Sequence, residues 1–92
     1  MIKSFRSRAL KRLYEHDDPS RLPPDMVARV ASILAALDSA EALQDMDRPS
    51  LKLHPLKGDL SGRWTVTVRA NWRITFSMSD RNVSDVDFED YH

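Results

Sequence analysis

The sequence predicts an α+β fold in which two helices pack on one face of a small antiparallel sheet. Three observations lead there. Apolar residues recur at helical spacing through the first half of the chain. From Leu51 onward the period drops to two and β-branched and aromatic residues take over. The breakers sit between these segments, with Pro19, Pro23, Pro24 and Pro49 at the joints and both glycines, Gly58 and Gly62, in one turn.

Taken in order, Met1–Phe5 fits either a short strand or the first turn of a helix. Phe5, Ala9, Leu10, Leu13 and Tyr14 then mark one face of a helix whose other face carries Arg6, Arg8, Lys11 and Arg12. Residues 17–24 form a loop, and proline suits the start of the second helix, from about Pro24 to Leu37. Met26, Val27, Val30, Ile33, Leu34 and Leu37 make its apolar stripe, and Ala31, Ala35 and Ala36 permit close packing. Asp38-Ser39-Ala40-Glu41 reads as a capping box that opens a short third helix ending before Arg48-Pro49. Four strands follow: Leu51–Leu56, Arg63–Val68, Arg73–Met78 and Val83–Tyr91. They are joined by a turn over residues 57–62, a bend at Ala70-Asn71 and a turn at Asp80-Arg81-Asn82.

Composition narrows the function classes. The 92 residues, 41% hydrophobic, suit a single domain over 1–92 that buries roughly 60–65% of its unfolded surface in one core. The absence of cysteine excludes a disulfide framework, and His16, His54 and His92 do not fall at zinc-ligand spacing, so no metal or other cofactor is expected. The longest apolar stretch, Val30–Leu37, is far shorter than the ~20 residues that span a bilayer. With no signal peptide at the start, the expectation is a cytoplasmic protein that does not engage membranes.

Fourteen basic and fourteen acidic residues cancel, but they are segregated. Residues 1–12 carry +5, 13–51 carry −5, 52–79 carry +4 and 80–92 carry −4. The neutral total argues against indiscriminate nucleic-acid binding and leaves room for a local basic face. Strand parity supplies one. If Leu51, Leu53, Trp64, Val66, Val68, Ile74, Phe76, Val86 and Phe88 meet the helices, the opposite face collects Lys52, His54, Arg63, Thr65, Thr67, Arg69, Arg73, Thr75 and Ser77. Trp72 and Tyr91 add rings near its edge. The bland alternative is a solvated polar face of the kind any half-buried sheet presents.

These residue types match what RNA cleavage without a metal requires. A base takes the 2′-hydroxyl proton, cations stabilise the charge on phosphorus, and an acid protonates the leaving 5′-oxygen. His54, Asp90 and His92 are the candidate proton-transfer groups. Lys57, Arg69 and Arg73 are the candidate phosphate cations, with Lys52 and Arg63 beside them, and Tyr91 offers a ring for a base. Strict alternation sets Asp90 and His92 on the parity of Val86 and Phe88, so they reach the open face only if the tail bends or lies at the sheet edge. The last strand is also acidic, and it suits RNA only where Arg69 and Arg73 pair with its carboxylates.

The run Leu51-Lys52-Leu53-His54-Pro55-Leu56-Lys57-Gly58-Asp59, the segment Gly62–Phe76 and the ending Asp90-Tyr91-His92 closely resemble the HigB toxins, of the RelE/ParE superfamily of type II toxin-antitoxin modules. The opening Met1-Ile2-Lys3-Ser4-Phe5 is also typical of that group. The resemblance implies a small curved sheet in the order β-α-α-(α)-β-β-β-β, which assigns Met1–Phe5 as a strand. It implies a ribosome-dependent endoribonuclease that cuts mRNA in the decoding site of the 70S ribosome. A helix-turn-helix antitoxin of the HigA type would hold it inactive, and through that antitoxin the complex would sit on operator DNA. By position, His54, Asp90, Tyr91 and His92 resemble the family's essential residues, and Lys57, Arg69 and Arg73 its phosphate-binding cations. A gyrase-directed poison of the ParE type and a catalytically weak corepressor are the other functions the superfamily offers.

Overall fold

A computed structural model describes residues 1–58 and 62–90. Helix α1 spans Arg8–His16 and α2 Val27–Ser39, the latter led in by a 3-10 turn at Pro24–Met26. A second 3-10 turn covers Leu43–Met46. The sheet is a four-stranded antiparallel meander in sequence order: β1 His54–Pro55, β2 Trp64–Arg69, β3 Trp72–Ser79 and β4 Asn82–Asp90. Leu10 and Leu13 of α1 and Val30, Ile33, Leu34 and Leu37 of α2 join Val66, Val68, Ile74, Phe76, Val83 and Val86 of the sheet in one buried cluster. The helices therefore lie on the sheet face that strand parity assigns to them. Among the described residues no helix is long and apolar enough to cross a membrane.

The N-terminal segment differs from a regular strand. Residues 1–5 run parallel to β4, but only Ile2 and Phe5 bridge it, at Val83 and Val86. The cause is an irregularity in β4: Asp85 has φ 54° and the β3–β4 register slips between Thr75 and Ser77. Helix α1 starts at Arg8 and not at Phe5, because Ser7 caps it by accepting the Leu10 N–H. Phe5 instead packs against Tyr14, ring centres 5.3 Å apart.

Two further expectations are corrected. Asp38-Ser39-Ala40-Glu41 does not open a helix, since α2 continues through Ser39 and Asp38 accepts the Ile2 N–H and the Tyr14 hydroxyl. Asp45 does the capping at the following 3-10 turn, accepting from the backbone N–H of Glu41 and Ala42. The expected strand Leu51–Leu56 shrinks to His54–Pro55, because Lys52 adopts a left-handed φ of 52° that ends any extended run. Leu51 still contributes, buried and accepting the Thr67 N–H through its carbonyl. The turn at Asp80-Arg81 has both residues at positive φ, as a two-residue hairpin with the twist of its strands requires.

Candidate active site

The register sets the site. On the face away from the helices, His54 lies opposite Thr65, Thr65 opposite Thr75, and Thr75 opposite Asp87. The neighbouring row runs Thr67, Arg73, Glu89. A small cleft of about 80 Å³ opens between them, lined by His54, Thr65, Thr67, Trp72 and Arg73 and by the Ala70-Asn71 turn. The β-bulge between Thr67 and Arg69 shapes its end, and Arg29 of α2 anchors that end from behind by donating to the carbonyls of Thr67, Val68 and Ser50.

His54 is exposed on β1, and its Nδ1 stands 3.0 Å from the Lys52 carbonyl. A carbonyl only accepts, so Nδ1 carries the hydrogen and Nε2 is the basic nitrogen of the neutral ring. The Lys52 kink that truncates the strand is thus also what supplies this acceptor. Arg73, on β3, lies across β2 from His54 and is mostly covered, its side chain 15% exposed. Its Nε and Nη2 donate to Glu89 Oε2 at 3.3 and 3.0 Å. Arg73 therefore meets the expectation that it pairs with the acidic last strand.

The other cations diverge from one polar face. Arg69 is exposed but follows the bulge, and it pairs with Asp25, which precedes α2. Arg63, Thr65 and Thr75, all expected on an open surface, are buried. Arg63 lies inward along the sheet, donating to Thr75 Oγ1 at 2.8 Å, to the Asp85 carbonyl at 2.7 Å and to Ser77 Oγ at 3.4 Å. Burial, with the Arg6 cation nearby, holds its guanidinium below the usual arginine pKa. Lys52 and Lys57 are exposed beside β1. Trp72 offers no free ring: it opens β3 and stacks on Phe88, ring centres 4.6 Å apart. Asp90 is exposed at the end of β4, paired with Trp72. Tyr91, His92 and the turn residues 59–61 lie outside the described residues.

The structure thus gathers His54, Thr65, Thr67 and Arg73 around one cleft, with Asp90 next to its Trp72 end. Sequence reasoning missed Glu89, Asp25 and the buried role of Arg63. Glu89 follows from register alone, since Arg73 and Glu89 share a row only after the β4 irregularity is placed. Among the described residues, no three His, Cys, Asp or Glu side chains gather to hold a metal ion.

Comparison with known proteins adds four findings. Residues 3–92 match the HigB-like toxins, described as the RelE-like toxin of type II toxin-antitoxin system HigB. The chain is 46% identical over 92 residues to Endoribonuclease HigB of Proteus vulgaris, covering 100% of both. Its fold is similar to that of YafQ from E. coli (TM-score 0.64, 15% identity, 98% of this chain and 91% of the other). It is also similar to a chain of the YoeB-YefM toxin-antitoxin heterotetramer of Staphylococcus aureus (TM-score 0.62, 18% identity, 100% and 95%).

Proposed function

The chain belongs to the HigB-like toxins, the RelE-like toxins of type II toxin-antitoxin systems, and from that premise we propose that it is an endoribonuclease that cuts mRNA in the decoding site of translating ribosomes. The observation that carries the reading is the cleft: a histidine with a fixed tautomer on β1 and a sheltered arginine on β3 border it from either side of β2, with hydroxyl side chains between them. Arg73 binds the scissile phosphate and stabilises the charge that grows on its oxygens as the 2′-oxygen attacks phosphorus. Lys57 and Lys52 add positive potential beside β1. His54, Asp90 and His92 divide the proton transfers: one group removes the 2′-hydroxyl proton and another delivers a proton to the departing 5′-oxygen. Tyr91 stacks on a base.

The remaining cations act less directly. Arg69 reaches phosphate by exchanging Asp25 for it, an exposed pair that costs little to part. Arg63 acts as a fixed positive charge, buried on the same sheet face against Thr75 and Ser77. A helix-turn-helix antitoxin of the HigA type restrains the enzyme in the cytoplasm, where its substrate is translated, and links the pair to operator DNA. The similarity to a toxin solved together with its antitoxin fits that arrangement.

The test is to map mRNA 5′ ends in cells expressing wild-type protein, His54→Ala or His92→Ala during active translation. New ends inside codons, in frame with the wild type and lost in both variants, are expected. Growth arrest that persists in the His54→Ala, His92→Ala double variant, without new 5′ ends, would overturn the reading and move the target to a protein such as gyrase.

A further inference from the structure

Glu89 is an acidic residue bonded directly to the arginine of the cleft, and the proposed reaction leaves it without a role. It stands opposite Arg73 in the β3–β4 register, and one of its oxygens takes both the Nε and the Nη2 hydrogens of the guanidinium. Both side chains are partly sheltered, Arg73 at 15% and Glu89 at 39% exposure, so the pair is screened less than a surface ion pair. The contrast within this chain is Arg69 with Asp25, at 57% and 59% exposure, where solvent competes freely for both partners. An arginine reaches its target on a long flexible stem and recognises phosphate through a planar fork, so its value depends on where the fork is held.

We propose that Glu89 is a positioning residue for Arg73. Its carboxylate grips the Nε edge of the guanidinium and fixes the fork over the cleft, at the orientation that meets the scissile phosphate. The inference rests on the phosphate-binding reading of the cleft and assigns Glu89 to neither proton transfer nor substrate contact. Two other roles make opposite predictions. A carboxylate that merely occupied the phosphate's place would slow the enzyme, so its loss would raise kcat/KM. A cross-strand pair that only joined β3 to β4 would change stability and leave the split between kcat and KM unaffected.

The experiment combines kinetics on mRNA-programmed ribosomes with side-chain ¹⁵Nε spectra of the full chain, the Arg73 signal being assigned by its disappearance in Arg73→Lys. In Glu89→Ala, kcat should fall about 10- to 100-fold with KM within about twofold, and the Arg73 Nε signal should move away from its wild-type position. Glu89→Gln keeps an acceptor oxygen at the same reach and should recover most of both readouts. A faster Glu89→Ala enzyme, an unmoved Arg73 signal, or a melting loss without the kinetic split would each overturn the proposal. If wild-type protein leaves ribosome-bound mRNA intact, the ribonuclease reading falls, while the Arg73 signal alone still decides whether Glu89 holds the guanidinium.

Discussion

Arg63, just ahead of β2, and Arg73 on β3 share a parity, yet they end in different chemistry. Arg73 borders the cleft, with its head group on a partly exposed carboxylate. Arg63 is 7% exposed and spends its donors on Thr75, Ser77 and the Asp85 carbonyl. Substitution should separate them. Arg73→Ala should lower cleavage on ribosomes by about 10²-fold or more and melt close to wild type, because it removes the proposed transition-state cation while its partner Glu89 keeps contact with solvent. Arg63→Ala should cost about 1–3 kcal/mol in denaturant unfolding, because Thr75 and the Asp85 carbonyl lose a buried partner. A stable Arg63→Ala protein that had lost all activity would show that its charge, not its packing, is what matters. The identities of both arginines are plain in the sequence; their burial is not, because parity gives a face and says nothing of what folds over it.

At the scale of elements, Asp38 ties three of them together. From the last turns of α2 it accepts the Ile2 N–H at 3.0 Å and the Tyr14 hydroxyl of α1 at 2.7 Å. The Tyr14 hydrogen bond, followed by that from Ile2, lowers the Asp38 pKa below 3.8, and the same bond raises the Tyr14 pKa above 10.0. The signs differ at the two ends of the pH scale. A depressed carboxylate contributes stability that is present above 3.8 and lost as pH falls through the folded value. A raised phenol contributes stability that is present below 10.0 and lost as pH rises through its folded value. Asp38→Asn should therefore lower the urea midpoint at pH 7 and flatten its decline in acid, and Tyr14→Phe should flatten the alkaline decline; parallel pH profiles for wild type and variants would contradict this. The helices and the last three strands were legible because burial on one side imposes a period. The third helix and the first strand were not, because Asp38 and Lys52 answer to distant partners and to a left-handed backbone that local pattern does not encode.

For the whole molecule, the zero net charge is the controlling quantity. Acidic β4 lies beside β3 and its one cation, and Arg73 with Glu89 and Arg69 with Asp25 neutralise part of the positive blocks within the fold. Few cations remain to release counterions from a free strand, so isolated RNA should bind weakly and with only a shallow dependence on salt. Naked mRNA should be cut far more slowly than the same message on ribosomes, and efficient cleavage of the naked message would contradict that dependence. Period and residue order along the chain are enough for the α+β class, the meander, the resemblance to HigB toxins and the candidate residues. The burial of Arg63, the turn of Arg69 to Asp25 and the meeting of Glu89 with Arg73 emerge only in the folded chain. Each depends on register slips at Val68 and Asp85, and a one-residue slip changes which side chains become neighbours without changing the apolar pattern that selected the fold.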